Sequence, residues 1–201
     1  MRSDSAVKVR AKETFSEFMS INAGDLREGF LVAFHSIKKG VPDFFLQGRN
    51  DGNVFPTRTM TEPGTQWIVH KTANQGVFRF ECQNTSLFLE GNASQCRVRL
   101  ASGSSQGMDW RVRDFPNPDL GGFDHVSLQC QSNGGSCSLG FLDIIDKEGH
   151  VPGHPGITFE TDAVGLIPET SSGSAAHWEM ILLPVGSDSG GPGPGDGSVL
   201  I

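Results

Sequence analysis

The 201 residues carry 16 Lys and Arg against 23 Asp and Glu, a formal net charge of −7. That balance argues against nucleic acid, heparin-type polyanions and anionic membrane surfaces, all of which need clustered cations. Twenty-six glycines, 11 prolines and a charged fraction of only 19% fit many turns and short strands rather than a helical bundle, at a length that suits one domain with flanking segments.

Residues 1–23 read as an N-terminal extension. Ala11, Phe15, Phe18 and Met19 fall at i, i+4, i+7 and i+8, one face of a short helix, with Lys12, Glu13, Ser16 and Glu17 on the other. Such a helix would pack over an opening of the following domain or dock a partner. Met1 to Arg10 hold no apolar run of signal-peptide length, and nowhere does the chain approach the 18 apolar residues of a membrane span. The expectation is a soluble, cytoplasmic protein with no membrane insertion, leaderless export remaining open.

From Gly24 the hydrophobic period becomes two. Phe30, Val32 and Phe34 alternate with Leu31, Ala33 and His35; Phe78, Phe80 and Cys82 alternate with Val77, Arg79 and Glu81; Val126, Leu128 and Cys130 alternate with Ser127 and Gln129. After each of these strands comes one phrase, three times over. Phe45-Leu46-Gln47-Gly48 leads to Val54 and Trp67, Phe88-Leu89-Glu90-Gly91 to Val98 and Trp110, and Phe141-Leu142-Asp143-Ile144 to Val151 and Trp178. The Phe-to-Trp distance is 22 residues twice and 37 in the third copy. Turns are expected at Asn50-Asp51-Gly52-Asn53, Gly91-Asn92 and Lys147-Glu148-Gly149, whose residues tolerate a left-handed backbone. The order strand, Phe-Leu strand, Val strand, Trp strand, taken three times, predicts about twelve strands over residues 24–184. No copy can bury its apolar face alone, so the three must close around one core. The three Phe, three Val and three Trp are expected in that core.

The third copy carries its extra length after Val151, through His154-Pro155-Gly156 to Ser174, where a long loop on a rigid body can hold specificity. Residues 185–201 are mostly Gly, Pro, Ser and Asp and are expected to form a disordered tail.

Cys82, Cys96, Cys130 and Cys137 allow three disulfide pairings and match no zinc spacing. Reduced, buried thiols are the expectation inside a cell; in an exported chain, Cys82–Cys96 and Cys130–Cys137 would close short local loops. Asn84-Thr85-Ser86 and Asn92-Ala93-Ser94 have the form of glycosylation acceptors, which the missing leader argues against. No zinc-protease helix, nucleophile elbow or phosphate loop appears, so neither enzyme activity nor a cofactor is expected. Asp143, Asp146, Glu148, His150 and His154 crowd one stretch, but it lacks calcium-loop spacing and reads as a solvated turn rather than a metal site.

With its three Phe-Leu phrases, following valines and closing tryptophans, the chain resembles the β-trefoil superfamily, whose members build a six-stranded barrel capped by hairpins from three four-stranded units. A propeller also repeats a Trp at this period, but three blades cannot close one. The phrase is most similar to that of fascin and agglutinin-like trefoils. The Gln-x-Trp signature of ricin-type lectins is absent, and the His-Pro loop of mussel-type lectins occurs once, at His154-Pro155. The resemblance implies a binding module. The first expectation is a lectin gripping a carbohydrate or glycoconjugate at the turns, through Asn50, Asp51 and Asn53, Glu90 and Asn92, Asp143 and Asp146, with His154 nearby. The alternative is a protein partner, as in cytoskeletal fascin-like or interleukin-1-like receptor-binding trefoils.

Overall fold

A computed structural model describes residues 19–37, 44–115, 125–145, 163–168 and 177–184. Thirteen strands form among them: β1 Met19–Ser20, β2 Leu31–Ser36, β3 Phe44–Gly48, β4 Val54–Thr57, β5 Trp67–Lys71, β6 Val77–Cys82, β7 Leu87–Asn92, β8 Arg97–Ala101, β9 Trp110–Phe115, β10 His125–Cys130, β11 Phe141–Ile145, β12 Ala163–Ile167 and β13 Trp178–Leu182. Two short 3-10 turns, Ala23–Asp25 and Gln106–Met108, are the helical pieces among the described residues. None of these is long and apolar enough to cross a membrane.

Six strands pair in an antiparallel ring: β2 with β5, β5 with β6, β6 with β9, β9 with β10, β10 with β13, and β13 back to β2. A closed ring leaves no free edge among these six, which removes the main aggregation hazard of an all-β chain. Each hairpin hangs from one ring strand: β3–β4 from β2, β7–β8 from β6, and β11–β12 from β10. The period-two alternation decides which side chains enter the ring. Val32, Phe34, Val69, Phe80, Val112, Leu128 and Met180 point into one continuous core, while Leu31 and Ala33 join Phe45, Ile181 and Leu183 in a second apolar cluster.

The tryptophans occupy like settings. Each is fully buried, and each indole Nε1 donates to the carbonyl of the Leu in its own phrase: Trp67 to Leu46 at 3.1 Å, Trp110 to Leu89 at 2.9 Å, Trp178 to Leu142 at 3.0 Å. Their cross-strand partners are Cys82, Cys130 and Ser36. A buried indole needs a partner for its one donor, and the same carbonyl meets that need three times. Burying each contributes about 2–3 kcal/mol.

Several expectations are corrected. The valine facing the phrase in the third copy is Val164, opposite Ile144, as Val54 faces Gly48 and Val98 faces Gly91; Val151 lies outside the described residues. From Phe141 to Val164 is 23 positions against 9 and 10 in the other copies, whereas Val164 to Trp178 is 14 against 13 and 12. The extra length therefore falls between β11 and β12, not after the Val strand. Gly91-Asn92 is not a turn: both residues belong to β7, and the reversal runs from Ala93 to Cys96, where Cys96 takes a left-handed φ of 53°. Gly91 is needed there for space, since a Cβ would lie 2.6 Å from Cys130 Sγ. Met19, expected on a helix, is in β1, paired with Leu182. Ile21 and Leu26 join the core, so packing begins upstream of residue 24. The rest of the expected helix, the turn at 147–149 and the tail lie outside the described residues.

The cysteines do not close local loops. Cys96 bonds to Cys137, 41 positions away, with Cα atoms 5.2 Å apart, and Cys82 and Cys130 are free and buried. Cys82 and Cys130 each stand opposite a tryptophan in the ring. That position takes them away from the hairpin turns where their sequence neighbours Cys96 and Cys137 meet.

Candidate functional site

An open cavity of about 490 Å³ lies where the β7–β8 hairpin, the Gln106–Met108 turn and the β10–β11 loop converge. Its side chains are polar throughout: Glu90, Asn92, Ser94, Arg99, Ser105, Gln106, Ser132 and Asn133 line it with Ala93 and three glycines. Glu90 is the hub. Its Oε2 accepts from Arg99 Nε at 2.7 Å, and its Oε1 accepts from Ser105 Oγ at 2.7 Å. Arg99 is well exposed at 60%, so this ion pair positions groups more than it stabilises the fold. Asn92 Oδ1 accepts from Ser94 N, Ser94 Oγ and Gln95 N at 3.1, 2.7 and 3.1 Å, which fixes its side chain.

Close approach of three backbones shapes the walls. Gly107 sits so near β7 that a Cβ would lie 2.4 Å from Gly91 O. Gly135, at φ +84°, presses on the β7–β8 turn, where a Cβ would lie 2.4 Å from Ser94 Cα. Only glycine serves at that second position, for its backbone sign as well as its space. Cys130 lies under the same wall, its Sγ 3.7 Å from Gly91 O and 3.5 Å from Gly107 O. Burial pushes its thiol up to about 11, so it stays protonated.

The predicted site residues divide. Glu90 and Asn92 line the cavity. Asn50, Asp51 and Asn53 belong to the turn between β3 and β4, where their polar atoms serve the chain itself. Asn50 Oδ1 accepts from Asn84 Nδ2 at 2.9 Å, Asp51 Oδ1 accepts from Asn53 N at 3.0 Å, and Asn53 bridges to Arg99 on β8. Asp51 is held below the usual carboxylate range by its hydrogen bonds from Asn53. Beside it, Arg49 lies over the Phe55 ring at 4.4 Å, and Gln47, the counterpart of Glu90, donates to Glu62 Oε2 at 2.9 Å and Pro63 O at 3.0 Å. Asp143 is buried in β11, its Oδ1 accepting from Ile144 N at 2.8 Å. Asp146 and His154 lie outside the described residues. Ser105, Arg99, Gln106, Ser132 and Asn133 were not singled out from sequence. One signal could have found the last two. Ten residues, 131–140, join β10 to β11, against four, 83–86, between β6 and β7. Among the described residues no cluster of His, Cys, Asp or Glu has the form of a metal site.

No family model matches the chain, and no curated protein matches it. Similar solved structures include a designed threefold-symmetric protein, ThreeFoil, with TM-score 0.54 and 16% identity, covering 76% of this chain and 99% of that one. A mosquitocidal holotoxin is similar at TM-score 0.56 and 15% identity, over 79% of this chain and 18% of the toxin. A Polyporus squamosus lectin, solved with the human-type influenza-binding epitope Neu5Aca2-6Galb1-4GlcNAc, is similar at TM-score 0.54 and 7% identity, over 78% and 50%. The chain thus spans half of the lectin and under a fifth of the toxin. At these identities the likeness shows an all-β, trefoil-like fold and nothing about a ligand.

Proposed function

We propose that the chain is a β-trefoil of three four-stranded units acting as a non-catalytic binding module, and that a carbohydrate sits in the cavity beside Glu90. The observation that carries this is the lining: carboxylate, guanidinium, amide and hydroxyl groups face one open space with no apolar side chain larger than Ala93. A neutral polyhydroxylated ligand matches such a mixture of donors and acceptors, whereas an apolar one would leave them unpaired. Among the described residues that line it, no aromatic ring offers a stacking platform, so a single saccharide is held by hydrogen bonds alone and binds weakly. The lectin among the structural neighbours supports the reading by analogy of fold.

A glycan array tests it. Binding to a restricted set of glycans, lost in Glu90→Ala, is the expected result; signal at background for the whole array removes the proposal.

The second reading is a protein-interaction trefoil, and the added length between β11 and β12 favours it. A chain shortened within 146–162 should then recover less partner in a pull-down than the intact chain. Equal recovery counts against it.

A further inference from the structure

We infer that the Cys96–Cys137 disulfide is a redox latch on this cavity, so that reduction releases one wall and abolishes the pocket. The inference builds on the carbohydrate reading for the identity of the ligand, but the movement of the wall is independent of it.

Among the described residues the same junction occurs twice and is fastened differently. Between β6 and β7 a tight turn lies against the β3–β4 turn, and one hydrogen bond, Asn84 Nδ2 to Asn50 Oδ1, joins them. Between β10 and β11 the connection is six residues longer, and it reaches the β7–β8 turn through the disulfide. The longer loop, residues 131–140, begins Gln131-Ser132-Asn133-Gly134-Gly135-Ser136-Cys137, with Gly134 and Gly135 both at positive φ. A glycine-rich loop loses much backbone freedom when ordered. Its inner hydrogen bonds run from Leu139 N to Ser132 O, Ser138 N to Gly135 O, Gly140 N to Cys137 O and Gly134 N to Ser138 Oγ, at 3.1, 3.4, 3.0 and 3.3 Å. To the opposite wall it has Cys137 N to Ala93 O at 3.0 Å, and the sulfur–sulfur bond. Ser132, Asn133, Gly134 and Gly135, all cavity-lining, lie just before the cross-linked residue.

The chemistry balances with a dithiol as reductant. Its thiolate attacks one sulfur, the Cys96–Cys137 bond breaks, the reductant closes to its own disulfide, and two protons go to the released cysteines. Both cysteines are fully buried, so attack requires the loop to open first. A saccharide bound across the two walls therefore slows reduction, and the latch in turn favours binding, since the coupling is reciprocal. Cys130 is a bystander beneath the wall because its thiol remains protonated.

Amide hydrogen exchange on the intact chain tests this, comparing the oxidised protein, the protein reduced by dithiothreitol, and the C96S/C137S variant. The reduced wild type guards against misfolding of the variant, and amides of β9 report the intact ring. We expect exchange at residues 134–139 to speed up at least tenfold in both unlinked forms while β9 stays protected. Unchanged exchange at 134–139 in the reduced protein overturns the latch. A parallel titration uses a panel of free galactose, mannose and N-acetylglucosamine. At least tenfold weaker binding of any saccharide after reduction supports the latch, and equal binding in both redox states overturns it. If the oxidised protein binds none, the carbohydrate reading fails and the exchange result alone decides the latch.

Discussion

Three residues carry the repeat: an indole, a leucine carbonyl, and a small side chain across the strand from the indole. Replacing Trp110 by Phe removes the donor to Leu89 O and leaves that buried carbonyl unpaired. The cost is about 1–3 kcal/mol, read as a lower urea midpoint. The second contact is Gly91 against Cys130, mirrored by Gly48 against Cys82, where an added Cβ would lie 2.9 Å from the sulfur. In the third copy Ile144 stands in the glycine position and Ser36 in the cysteine position. Gly91→Ala alone should destabilise by about 1–3 kcal/mol through overpacking. Added to Cys130→Ala it should cost measurably less, and a double-mutant cycle in urea shows whether the two sites couple. Equal costs in both backgrounds would contradict the packing described. Free Cys130, pushed up to about 11 by burial, should resist iodoacetamide in the native protein at pH 8 and react on unfolding.

Among the elements, the joint between β1, β13 and β2 responds to acid. Glu179 on β13 accepts from Ser20 on β1 and lies 2.9 Å from His35 Nδ1 on β2. Its hydrogen bond with His35, above all, holds its carboxyl below the ordinary 4.5 against the opposing effect of burial. A depressed carboxylate stabilises the fold above the unfolded value, and that contribution is lost as pH falls through the folded value. His177, just before β13, is pushed below 6.5 by burial, with Asp143 acting the other way. The unfolded chain protonates it first, so stability should begin to fall as pH drops below 6.5, and fall again below 4.5. Urea midpoints across pH 7.5 to 3.5 check this, and His177→Gln should remove the first decline. The latch belongs to this scale too. Its 41-position span gives the cross-link about 4 kcal/mol on the chain-entropy account, so C96S/C137S should unfold at a clearly lower urea concentration.

At the scale of the whole molecule, the pattern that repeats was legible and the parts that break it were not. Alternating apolar residues placed β2, β6 and β10, and Phe-Leu with Trp placed β3, β7, β11 and the strands that return to the ring. These signals are strong because a closed ring buries one face of every strand, so each inward position must be apolar. Val151 misled because a lone valine near the right distance carries no more information than Val164. Only the cross-strand register separates them. The disulfide was unreadable for a related reason: Cys96 and Cys137 meet because two hairpins converge, a property of the ring and not of spacing. The cavity was half legible. Glu90 and Asn92 came from their place in the phrase, but Asn50, Asp51 and Asn53, chosen by the same rule, spend their hydrogen bonds within the chain.

The most direct measurement is an amide chemical-shift titration of the oxidised, isotope-labelled chain with the saccharide that scores highest on the array. Shifts gathered at Glu90, Asn92, Ser94, Gln106 and residues 132–135, with Asn50 to Asn53 unmoved, are predicted. Shifts centred on the β3–β4 turn, or scattered without reference to the cavity, would contradict the assignment of the site.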